Sequence, residues 1–294
     1  MSVVTRIANA RLSVDIASLG AEMQAITTAD GHSWLWNGDP AWWTGRSPIL
    51  FPIVGKAPDD RLTIEGKPYM TAQHGFARRS EFTLDMAGDA MCRYELMPSE
   101  TTKAVYPFEF ALRMTYALKG PALSVAAEVE NRGARTMPFG FGFHPAFVWP
   151  LPDAAGRSLE GSPHTITLDN GAEPALVRLK DGLIDPARLP SPFKAGRLTL
   201  AAAGFEADAM IFPEGAGPGL TYAAEGGPEL HFAFENLPNL ALWQKPGAPY
   251  ICIEPWHGMA AVRGGGNAIE DRPSTTLLPP GDTARFGFTV TFPA

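Results

Sequence analysis

Hydrophobic and polar positions alternate with a period of two over much of the chain. Between residues 108 and 118 the even positions are Phe108, Phe110, Leu112, Met114, Tyr116 and Leu118, while Glu109, Arg113 and Thr115 take odd positions. Successive side chains of a strand point to opposite faces, so this spacing predicts a strand with one buried face. Leu123, Val125, Ala127 and Val129 repeat the pattern against Ser124, Glu128 and Glu130. Lys119-Gly120-Pro121 between the two segments predicts a tight hairpin. Near the C-terminus Phe286, Phe288, Val290 and Phe292 alternate with Gly287, Thr289 and Thr291. Shorter strands are expected at 11–16, 22–28, 81–86, 91–97, 165–168, 197–201, 208–212, 220–224, 229–234 and 250–254. No convincing amphipathic helix of ten or more residues interrupts them. Strand signals separated by Gly, Pro, Asn and Asp predict an all-β fold, a large antiparallel sandwich or barrel-like structure with few short helices. The Pro/Gly-rich stretches at 150–163 and 214–218 are loop-sized, so residues 1–294 are expected to form one domain.

Composition narrows the function classes. Hydrophobic residues are 45% of the 294 and charged residues 19%, enough for a sizeable core and too apolar for wholesale disorder. Lys and Arg number 24 against 31 Asp and Glu, a formal charge of −7, which argues against nucleic acid as a partner. The two cysteines, Cys92 and Cys252, give neither a disulfide framework nor zinc-ligand spacing. The N-terminal residues from Met1 to Arg6 show no secretory apolar region, and no apolar run is long enough to span a membrane. A cytoplasmic protein without membrane contact is expected. Nucleotide loops, nucleophile elbows and paired metal-binding histidines are missing, so no cofactor or metal is expected.

Three segments carry candidate chemistry. The first is Gln73-His74-Gly75-Phe76-Ala77-Arg78, with Leu50-Phe51-Pro52-Ile53-Val54-Gly55-Lys56 upstream. The second is Phe139-Gly140-Phe141-Gly142-Phe143-His144-Pro145-Ala146-Phe147. The third is Leu242-Trp243-Gln244-Lys245 followed by Ile251-Cys252-Ile253-Glu254-Pro255-Trp256-His257-Gly258. Each sets a proton-exchanging side chain among aromatics, glycines and prolines. His144 and Glu254 each stand at an expected strand end, stopped by a proline. Burial raises a carboxyl pKa toward the range of a general base, and aromatic faces suit the C–H faces of a sugar. From the residues alone this reaches a soluble β protein with a small-molecule site using His and Glu.

Taken together, the segments resemble the aldose 1-epimerase (galactose mutarotase) family, in the branch with L-F-P-I-x-G, H-G-F-A-R, F-x-x-H-P-A-F and I-x-I-E-P-W. The resemblance implies an antiparallel β-supersandwich with a sugar cleft, acting on a small-molecule sugar without cofactor, as a monomer or homodimer. It implies Glu254 as general base, His144 as general acid and His74 as a histidine that holds and polarises the sugar. Asp208 resembles the family's hydroxyl-binding aspartate, with Arg46 and Arg78 as hydroxyl contacts or supports for the histidine and carboxylate, and Gln244 as a lesser candidate. The resemblance departs at Gly55-Lys56-Ala57-Pro58, where galactose mutarotases proper carry an Asn-Arg pair, so hexose specificity does not carry over. Arg46, Lys56, Arg78 and Arg79 lie close enough in sequence to suit a phosphorylated sugar. A non-catalytic sugar-binding module and a hydrolase or lyase using Asp208 as second carboxylate are the alternatives. His257 is expected to point away from the cleft.

Overall fold

The computed structural model describes residues 2–215 and 217–293. The readings of the segment beginning at Met1 and of the loop at 214–218 fall partly outside them. The alternating segments form the middle of a nine-stranded antiparallel sheet. Its order is Arg197–Thr199, His164–Leu168, Gly219–Ala224, Glu229–Glu235, Thr283–Thr291, Ala122–Asn131, Phe110–Lys119, Met91–Leu96 and Thr83–Ala87. The expected even-numbered face is buried in full, from Phe110 to Leu118. Gly120 and Pro121 make the two-residue turn that leaves Lys119 opposite Ala122, with Gly120 at φ 57° supplying the left-handed conformation.

A second antiparallel sheet runs in the order Met210–Phe212, Asn239–Trp243, Tyr250–His257, Phe141–Phe143 and Ile49–Leu50, with Ala146–Val148 also paired to Tyr250–His257. Val4–Ala8, Leu12–Ala17 and Met23–Thr28 make a third, three-stranded sheet. The two large sheets pack through aromatic rings. Phe141 stacks on Phe286 at 5.1 Å, Phe143 meets Phe288 edge-on at 4.9 Å, and Phe147 meets Phe232 edge-on at 5.1 Å. Each such pair adds about 0.5–1.5 kcal/mol beyond the area it buries. The helical content is small, as expected. Among the described residues the α-helix is a single turn, Glu100–Lys103, closed by a capping box between Ser99 and Thr102. Among the described residues no helix is long and apolar enough to cross a membrane.

The structure differs from the sequence expectation at Glu254. The strand does not end there but continues through Pro255 to His257. The Ile253 amide donates to the Pro145 carbonyl, so Pro255, two residues on, directs its nitrogen toward the same side. There the neighbouring strand is interrupted between Phe143 and Ala146, so the proline removes no ladder bond.

Candidate active site

Alternation along Tyr250–His257 divides its side chains. Ile251 and Ile253 join the main core, while Tyr250, Cys252, Glu254 and Trp256 project from the other face. On the adjoining chain, Gly142 pairs with Trp256 and Ala146 with Cys252. One register therefore spans the break between those strands, and it sets His144 directly opposite Glu254 on the same face. The two side chains touch, with His144 Nε2 3.2 Å from Glu254 Oε2. On the other flank Glu254 faces Ala241, whose small side chain leaves space above the carboxyl. Gly142 is required beside Trp256, because a Cβ there would lie 2.5 Å from the indole Cδ1.

This face forms the floor of a cavity of about 330 Å³, within the range of small-molecule sites. His74 enters from the side at φ 64°, its ring 5.9 Å from that of His144 and edge-on to it. The Gly55 amide donates to His74 Nδ1 at 3.0 Å, which leaves the proton of the neutral ring on Nε2. The buried Arg272 braces the segment that carries Gly55. Its guanidinium donates to the carbonyls of Val54 (2.7 Å), Met259 (3.0 Å) and Lys56 (3.2 Å).

Glu254 is 2% exposed and His144 8%. Burial pushes the Glu254 carboxyl well above its ordinary range, and the nearby negative charge of Asp208 pushes the same way. Burial brings His144 down to about 3, and Arg78 adds to the fall. His74 is held well below its ordinary value by burial and then by the charges of His144, Arg78, Arg79 and Arg272. Burial thus raises the carboxyl and lowers the imidazole, which favours a proton shared across the 3.2 Å contact on the carboxyl side, donated to Nε2. A pair holding one proton offers an acid and a base side by side.

Of the residues expected from sequence, Glu254, His144, His74, Arg78 and Asp208 line the cavity. Asp208 lies outside the strand expected at 208–212, which begins at Met210. It occupies a turn at φ 65°, with its carbonyl accepting from Arg178 at 2.6 Å. Arg46 and Gln244 do not reach the cavity wall. The Arg46 guanidinium is committed to the Gln24 carbonyl at 2.5 Å, and the Gln244 amide to the Ala248 carbonyl at 2.7 Å. Lys56 turns toward Asp60, and Arg79 reaches back to the Gly75 carbonyl. Of the four basic residues grouped in sequence, only Arg78 lines the cavity. His257 points to the core side of its strand, against Phe286 at 5.4 Å.

Sequence reasoning missed Trp43, which also lines the cavity. Its ring lies 5.1 Å from His144 and 5.4 Å from Trp243. The strap that carries it is pinned on both sides. Lys245 Nζ donates to the Trp42 carbonyl at 2.9 Å, and Glu22 Oε1 accepts from the amides of Arg46 (2.7 Å) and Ser47 (2.9 Å). The available signal was the crowding of Trp34, Trp36, Trp42 and Trp43, four of the seven tryptophans, into ten residues.

Comparison with known proteins agrees with this architecture. The sequence pattern of the family described as aldose 1-epimerase matches residues 3–181. LacX of Lactococcus lactis subsp. lactis is 31% identical over 296 residues, covering 96% of this chain and 97% of its own. Among solved structures, the galactose mutarotase related enzyme of Lactobacillus acidophilus superposes with a TM-score of 0.92 at 29% identity, covering 99% of this chain and 98% of that one. A galactose mutarotase-like protein of Lactobacillus casei gives 0.91 at 26% identity, covering 99% and 100%. With its antiparallel sheets, its aromatic-walled cavity and a sequence match over more than half its length, the chain belongs to the aldose 1-epimerase family and has the galactose mutarotase-like fold.

Proposed function

We propose that this protein is an aldose 1-epimerase, interconverting the α and β anomers of a sugar by acid–base ring opening and closing. The observation that carries the reading is the 3.2 Å contact between His144 Nε2 and Glu254 Oε2 at the floor of an aromatic-walled cavity. A hemiacetal carries its hydroxyl oxygen and its ring oxygen on one carbon, so two adjacent proton-exchanging groups can serve both. A bound sugar takes the place of the direct contact. With the shared proton on His144, the Glu254 carboxylate accepts the proton of the C1 hydroxyl as His144 donates to the ring oxygen. The bond from C1 to the ring oxygen breaks, the carbonyl forms, and rotation about C1–C2 exposes its other face. Closing runs the transfers in reverse, so each residue acts once as acid and once as base, and one shared proton suffices. His74 and Asp208 serve as hydroxyl partners, and Trp43 and Trp243 as apolar walls. A binding module has no need of two buried groups within proton-transfer distance, which favours catalysis over that alternative.

A phosphorylated aldose is the second reading, favoured by Arg78, whose buried Nε has no hydrogen-bond partner among the described residues. Anomer exchange followed by NMR on free and phosphorylated aldoses separates the two, with an oligosaccharide product assay for hydrolysis. Exchange is expected in the wild type and lost in His144→Asn. Exchange undiminished by that substitution refutes the assignment, and a released monosaccharide product replaces it with hydrolysis.

A further inference from the structure

Cys252 lies two residues before Glu254 on the same strand face, and neither its motif nor the acid–base chemistry uses its thiol. The strand period and the shared register bring it to the same spot as the pair. One donor atom from each of His144, Cys252 and Glu254 lies within 4.8 Å of the other two, and all three residues are buried. Nitrogen, sulfur and carboxylate oxygen form the donor set of zinc and cobalt(II) rather than of magnesium or calcium. His144 directs its Nε2 into the cluster, 3.2 Å from Glu254 Oε2, while its Nδ1 has no hydrogen-bond partner among the described residues. Zinc bonds of about 2.0–2.3 Å bring donors to within roughly 3.8 Å of one another. Closing the present spread takes side-chain shifts of about an ångström, with the small Ala241 and Ala146 beside Glu254 and Cys252 leaving room.

We propose that His144, Cys252 and Glu254 form a capture site for a thiophilic divalent cation of the zinc class, which occupies the acid–base pair and excludes the sugar. Binding releases two protons to solvent, one from the thiol and one from the carboxyl, and leaves thiolate, carboxylate and neutral imidazole on the metal. No electron transfer is involved. Because thiol and carboxyl must both lose a proton to bind, capture strengthens as pH rises. The inhibitory consequence rests on the epimerase reading, whereas binding itself does not.

The test is a titration of the chelator-treated full chain with cobalt(II) chloride at pH 8, following the ultraviolet thiolate-to-cobalt charge-transfer absorption. One cobalt per chain is expected, with the band present in the wild type and in Cys92→Ala and absent in Cys252→Ala. Loss of even an outer-shell partner weakens a metal site about 10–100-fold, so removing this direct ligand should weaken binding by more than that. Cys252→Ser replaces the alanine variant if the latter does not fold. Failure to take up cobalt, or uptake with the same band and affinity in the Cys252 variant, overturns the proposal. Zinc should also slow anomer exchange, and the zinc concentration that halves the rate should rise more than about tenfold in the Cys252 variant. If no sugar is turned over by the wild type, the epimerase reading fails while the cobalt titration still decides the metal site.

Discussion

Replacing the Glu254 carboxyl by a carboxamide preserves its volume in a position only 2% exposed, and the amide can still donate to His144 Nε2. What Glu254→Gln removes is proton exchange. An acid–base group contributes a factor of about 10²–10⁴, or roughly 3–5 kcal/mol of barrier, and the upper end is expected because the pair holds a single proton. Stability should move the other way. A carboxyl held above its ordinary range in the folded chain binds a proton that the unfolded chain has lost. The stability tied to it is therefore fully present below about pH 4.5 and declines as pH rises toward the folded value. The slope is up to about 1.4 kcal/mol per pH unit for one proton. Glutamine carries no such linkage, so the variant should gain on the wild type as pH rises from 5 to 8. Anomer exchange by NMR and urea midpoints at several pH values measure both arms. A variant within about tenfold of wild-type exchange, or one losing stability relative to wild type as pH rises, would refute the reasoning.

Trp43→Ala removes the ring packed on His144 and Trp243, so kcat/KM should fall by about 2- to 13-fold, one aromatic contact being worth about 0.5–1.5 kcal/mol. Trp43→Phe should restore most of that loss, and equal losses in both variants would count against a wall role. Gly142→Ala forces a methyl onto the Trp256 ring, an overpacking worth about 1–3 kcal/mol, read as a lower urea midpoint. Acid should destabilise the fold through buried histidines. His164 is pulled below its ordinary value by burial, alongside His74 and His144, so the unfolded chain takes up protons below about pH 6.5 that the folded chain refuses. Three such groups outweigh the opposite linkage of Glu254. Calorimetry at pH 6 in buffers of different ionisation enthalpy should record net proton uptake on unfolding, and net release would contradict it.

The strands most legible in the sequence were those with one face on the core and one toward water, where alternation is written in residue type. Asn239–Trp243 was not expected as a strand because it is enclosed on both sides. Leu240 and Leu242 enter the main core, while Ala241 and Trp243 face the cavity floor, so its run is apolar without a period. His144 and Glu254 were visible as unusual residues in aromatic surroundings, but their pairing lies in a register that only the assembled sheet defines. Arg46 shows the converse failure. The resemblance implied a sugar contact for it, yet residue type carries no direction, and a backbone carbonyl of the three-stranded sheet holds its guanidinium. Arg272 was invisible for a related reason, since its partners are carbonyls and no residue type in the sequence marks them.

Because hydrogen-bonded rows rather than connecting loops give the imidazole and the carboxyl their address, the turns that join the strands between Trp149 and Pro249 can change length without separating them. Deleting one residue inside Tyr250–His257 would instead turn the carboxyl into the phenylalanine layer. Variation in such a scaffold is thereby steered to the short connecting segments that carry Asp208 and Arg78, while the His144–Glu254 pair on the paired strands stays insulated from it.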